Sequence, residues 1–127
     1  MLRAVCLGLI VLTRLATAQE LPGVEVFDEP DEMTEGTNVR FESAVVRAKS
    51  GLLLRVAIGK HEIFVAPPDP SSLEWIAVGA KVDVQGTLQR TPTAQQARLV
   101  YAMGPVEARR LARTRFYVDA WSVSAVD

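Results

Sequence analysis

The sequence predicts a mainly β fold: a small five-stranded barrel with a short helix before strand 4 and a two-helix insertion between strands 4 and 5. Three observations carry this. Three β-rich runs joined by short glycine-containing connections fill residues 39–66, an alternating segment lies between Gly79 and Gly86, and a last alternating run occupies 116–123. Successive side chains of a strand point to opposite faces, so an apolar period of two is the signature of a sheet with one buried side.

The 127 residues amount to about one domain, with an apolar share of 49% that is ordinary for a globular chain. Part of that share is not core. Arg3, the apolar run 4–13 and Ala16-Thr17-Ala18 form the pattern of an export signal, with cleavage expected after Ala18. A retained anchor is the alternative, but roughly 20 apolar residues are needed to cross a bilayer, and Arg14 interrupts the run. No stable membrane span is expected once residues 1–18 are removed. The single cysteine, Cys6, leaves with them, so residues 19–127 have neither disulfides nor thiolate metal ligands.

Residues 19–37 hold seven acids and no Lys or Arg, broken by Pro22, Gly23, Pro30 and Gly36. Such a like-charge run cannot bury enough surface to offset ordering entropy, and a flexible arm is expected. Val24, Val26 and Phe27 are its apolar patch, able to dock as an added edge strand. From residue 38 onward, twelve Lys and Arg face eight Asp and Glu, a surplus of four positive charges. An acidic arm thus precedes a basic body, residues 38–127.

Strand 1 is read over 39–48, with the doubled Val45-Val46 marking a bulge where the faces swap. Strand 2, over 52–58, directs Leu52, Leu54, Val56 and Ile58 inward and Leu53, Arg55 and Ala57 outward. Gly59-Lys60-His61 turns the chain into strand 3, over 62–66, a hairpin. Pro67, Pro68 and Pro70 stop the meander. Ser71 or Ser72 caps a short helix through Leu73, Trp75, Ile76 and Val78, ending at Gly79. Strand 4 runs over 81–89. Thr93 and Gln96 form a capping box for a helix over 94–103, burying Ala97, Val100 and Met103 and ending on Gly104 as a left-handed cap. Pro105 leads a second helix over 106–113, burying Ala108, Leu111 and Ala112. The last strand alternates Phe116, Val118 and Ala120 with Tyr117, Asp119 and Trp121.

In this order the chain resembles the OB-fold, the five-stranded Greek-key barrel. Gly79-Ala80-Lys81-Val82-Asp83-Val84-Gln85-Gly86-Thr87-Leu88 is similar to the G-x-x-V-x-V-x-G-x-L fourth strand of many OB domains, and Gly51 and Gly59 end the second strand as they do there. The resemblance spans residues 38–126, and small exported OB proteins of bacterial envelopes are the nearest class. The same pattern also occurs in SH3-like barrels. One departure matters: the connection between strands 4 and 5, short in OB domains, here holds both helices, so the face it borders is either extended or covered.

Catalysis needs convergent titratable groups, and the chain has one histidine, His61, in a turn. No cofactor or metal site is expected. Arg98, Arg109, Arg110, Arg113 and Arg115 are the most concentrated feature, and Arg109 and Arg113 share a helical face where their guanidinium groups could grip an anionic partner. Tyr117 and Trp121, if exposed together, would mark a contact surface. The function expected is an exported, non-catalytic binding module of the cell envelope, periplasmic or secreted, that takes an envelope protein or an anionic ligand through this basic insertion. The alternatives are a structural accessory protein docking through the acidic arm, or a single-stranded nucleic acid-binding OB domain. The last lacks a stacking platform, since strands 1–3 carry only Phe41 and Phe64 as aromatics. A helix-turn-helix reading of the insertion gives way to packing, because its second helix is short and begins with Pro105.

Overall fold

The alternating runs become five strands in a computed structural model that describes residues 21–28 and 34–126. They are β1 (Asn38–Ser50), β2 (Leu53–Ile58), β3 (His61–Ala66), β4 (Lys81–Arg90) and β5 (Phe116–Ala125). They close into a barrel in the order β1-β2-β3-β5-β4. Every pairing is antiparallel except β3 with β5, where Val65 and Ala66 meet Val118 and Asp119 in parallel register. The expected OB-like barrel is therefore the one observed, with three helices: α1 (Ser72–Trp75), α2 (Ala94–Val100) and α3 (Pro105–Ala112). The export segment 1–18, Cys6 and the acids Glu29, Asp31 and Glu32 lie outside the described residues.

The barrel closes because β1 serves two neighbours, pairing with β4 through its first half and with β2 through its second. Bulges make the changeover. The register steps from Phe41 opposite Val84 to Ala44 opposite Val82, leaving one residue extra. There Ser43 takes φ 54°, a left-handed conformation rare for a residue with a side chain, and its N–H donates to Asp83 Oδ1 at 2.9 Å. The face swap comes at Ser43, so Ala44 and Val46 point inward, and Ser43 is exposed.

β4 supplies Val82, Val84 and Leu88 to the interior, all at most 1% exposed. Between them Gly86 is obligatory for a different reason from turn geometry. A Cβ there would lie 2.6 Å from Asp119 O and 2.7 Å from Ala120 Cα, so β5 approaches too closely for any side chain. Just opposite, Gln85 pairs with Ser122 while Gly86 pairs with Ala120, which makes Trp121 the extra residue of a further bulge, on β5.

The ends of the barrel are closed separately. α1 is shorter than expected, and its Ile76 lies beyond it in extended backbone, 1% exposed, while Leu73 packs on the interior. Trp75 and Val78 remain exposed. Lys49 Nζ ties the segment down through Leu73 O at 2.7 Å. At the β2–β3 turn, the apolar patch of the acidic arm docks as a 3-10 turn, Val24–Phe27, and not as the expected edge strand. Phe27 stacks on His61 with centroids 4.6 Å apart and on Phe41 at 5.7 Å, and Arg40 N–H donates to Pro22 O.

Candidate functional site

The two-helix insertion begins as a capping box. Thr93 Oγ1 accepts from Gln96 N–H at 3.2 Å, and Gln96 Oε1 accepts from Thr93 N–H at 3.0 Å. Its neck is pinched where Thr91 Oγ1 donates to Thr114 O at 2.7 Å. α2 stops at Val100, earlier than expected, because the left-handed residue is Ala102 at φ 54°; Gly104, at φ −68°, instead forms the N-cap of α3. Pro105 then occupies the first helical position, which costs no hydrogen bond. This early stop leaves Val100 62% exposed, and Ala112 is exposed as well, so the buried side of the pair is Ala97, Met103, Ala108 and Leu111.

Those four residues fold back onto the outside of the barrel, against Leu53, Phe64 and Ala66. Strand β2 is buried on both faces: Leu54, Val56 and Ile58 line the interior, while Leu53 and Ala57, expected outward, are 0% and 7% exposed, Leu53 beneath the helices. Leu52 belongs to the turn and is partly exposed. The turn itself is fixed by Leu52 N–H donating to Tyr101 O at 2.8 Å, with Gly51 so close to Tyr101 O that no Cβ fits. Burying a side chain of the size of Leu53, Phe64 or Leu111 is worth about 1.5–3 kcal/mol, which seats the helices on the barrel in the folded state.

Charges and hydroxyls frame that cover. The Arg55 guanidinium meets Glu62 across the hairpin at 3.1 Å and Glu107 of α3 at 3.6 Å, with the Arg55 and Glu107 side chains 17% and 25% exposed. Tyr117 and Tyr101 share a hydroxyl hydrogen bond of 2.7 Å. Burial, followed by that bond and the nearby Tyr101 and Asp119, pushes the Tyr117 phenol well above the usual tyrosine range.

Of the residues singled out by sequence, the structure brings Arg98 of α2 and Arg109 of α3 together on one open groove, lined also by Ala94, Gln95 and Pro105. Arg109 is oriented by its Nε donating to Pro105 O at 3.3 Å. Arg110 stands 3.9 Å from Glu107, Arg113 is exposed at the C-cap of α3, and Arg115 lies over the Phe116 ring at 5.5 Å. Tyr117 and Trp121 do not form a joint surface: Tyr117 is half-buried against the insertion, while Trp121 is exposed on the bulge, donating from Nε1 to Gln85 Oε1. Sequence reasoning missed Arg55, Glu62 and Glu107 as one network, and also the exposed Leu99 and Val106. The hairpin register was the available signal for the first, since Gly59-Lys60 as the turn puts Arg55 and Glu62 diagonally across β2 and β3.

No family model matches the chain, and no curated protein matches it. Among solved structures, the fold is similar to that of the hypothetical protein YgiW from E. coli, with a TM-score of 0.51 and 14% identity over 86% of this chain and 92% of that one. The S. pombe Stn1–Ten1 complex also matches, with a TM-score of 0.47 and 11% identity over 85% of this chain and 78% of that chain. The likeness to YgiW is one of fold.

Proposed function

We propose that the chain is an exported, non-catalytic binding module of the cell envelope whose partner is anionic and is held by the arginines of the α2–α3 insertion. The observation that carries this is the convergence of Arg98 and Arg109 on one groove, with no carboxylate paired to either among the described residues. Guanidinium groups held on two packed helices present fork-shaped donors to carboxylate, sulfate or phosphate.

The covered face favours this over nucleic acid binding. OB domains take oligonucleotides on the outer face of strands 2 and 3, and here Leu53 and Phe64 of that face lie under the helices. Phe64, at 2% exposure, has no ring surface to offer a base. The accessory-arm reading has less support, because Phe27 is engaged within its own chain. The non-catalytic reading draws on His61, whose ring stacks flat on Phe27 at an interplanar angle of 9°.

Retention on a heparin resin tests the anionic partner. Reversing Arg98 or Arg109 singly to Glu should lower the salt needed for elution clearly more than reversing Arg47, an exposed arginine of β1; equal losses would reject the groove. N-terminal sequencing of the protein from an envelope fraction tests export, with a start at Gln19 expected.

A further inference from the structure

We infer that the anionic partner is a lipid bilayer surface, met by the edge of the insertion where α2 ends and α3 begins. This rests on the anionic-partner reading and goes further, because it uses residues that reading leaves idle. Leu99 and Val100 in the last turn of α2 are 78% and 62% exposed, and Val106 in the first turn of α3 is 62% exposed. They flank the connection between the helices, and Leu99 shares a surface hollow with Arg98. Nothing in the barrel needs them there, since Ala97, Ala108 and Leu111 already supply the packed side.

Branched aliphatic side chains set beside arginines on short surface helices suit the boundary between headgroups and acyl chains, where the apolar groups leave water and the cations meet phosphate. An acidic protein would be expected to find an aromatic anchor at the centre of its contact. The aromatic of this insertion, Tyr101, is instead turned inward onto Tyr117. The basic charges supply the complementarity: Arg98, Arg109 and Arg113 have no carboxylate partner among the described residues.

The test is co-flotation with vesicles of phosphatidylcholine alone and of an equal mixture with phosphatidylglycerol. All variants have one length, so the apolar run 4–13 contributes equally to each. Binding to the mixed vesicles should exceed binding to phosphatidylcholine alone. Arg98→Glu should weaken it by at least about fivefold, the equivalent of ~1 kcal/mol per arginine near an anionic surface, and Leu99→Ser with Val106→Ser should weaken it by a similar factor without changing heparin elution. A dye on Leu99→Cys in a Cys6→Ser background should shift to the blue on adding the mixed vesicles. Arginine-dependent heparin retention without vesicle binding, or with capture of an acidic protein in its place, overturns the bilayer and leaves the anionic-partner reading standing. Vesicle binding that ignores Leu99 and Val106, with no dye shift, also overturns it. Loss of heparin retention as well removes both.

Discussion

Arg55 on β2 and Glu107 on α3 face each other with Nε and Oε2 3.6 Å apart, and neither atom has a hydrogen-bond partner. The contact joins the barrel wall to the helical cover by charge alone. Exposed pairs contribute below about 1 kcal/mol, and breaking a fully buried pair costs about 3–5 kcal/mol. At 17% and 25% side-chain exposure this pair falls between. Glu107→Gln should therefore lower unfolding stability by about 1–2 kcal/mol in urea titrations. A double-mutant cycle with Arg55→Met that shows no coupling would mean that this ion pair does not help to hold the helices on the barrel.

Packing is the larger contribution. Leu111 is fully buried between α3 and the β2–β3 wall, and Leu111→Ala should cost about 2–5 kcal/mol. Hydrogen exchange should show α2 and α3 opening before the barrel. Uniform opening of all elements would contradict a separable cover.

Two glycines separate close approach from turn conformation. Gly86→Ala places a methyl group against the β5 backbone and should destabilise by several kcal/mol or prevent folding. Gly59 has φ 61° with open space around it, so Gly59→Ala carries only the left-handed penalty of about 1–2 kcal/mol. Thermal melts of the two variants compare them directly, and equal losses would refute the close approach at β5.

Tyr117 gives the structure a dependence on alkaline pH. Its phenol is raised in the folded state by burial and by the Tyr101 hydroxyl. The unfolded chain ionises first, so stability is full below the ordinary tyrosine value of 10.0 and falls as pH rises past it. Absorbance titration should resolve one tyrosine that ionises late, and Tyr101→Phe should lower its pKa only partway, because burial is the larger cause. Two ordinary tyrosine titrations would exclude the buried pair.

The barrel was legible because period two is a local property: Val82, Val84 and Leu88 read inward without knowledge of any neighbour, and all three are buried. The Thr93–Gln96 box was legible for the same reason, since its partners lie within one turn. Alternation says which residues share a face but not what covers it. Leu53 faces outward as alternation says yet is buried, because helices forty or more residues later return onto it. The left-handed position fell on Ala102 instead of Gly104 because the docking of Tyr101 O on the β1–β2 turn sets where α2 ends. The convergence of Arg98 and Arg109 has the same origin: it depends on how two short helices pack, which no spacing within either one encodes.

The claim that the α2–α3 arginines, and not the β2–β3 face, receive an anionic partner is tested most directly by following backbone and arginine side-chain NMR signals while a heparin-derived oligosaccharide is added. The expected result is a set of shifted signals centred on Arg98 and Arg109, with Phe64 unmoved. Shifts centred on Phe64 and its strand, or on Trp121, with Arg98 and Arg109 unchanged, would contradict it.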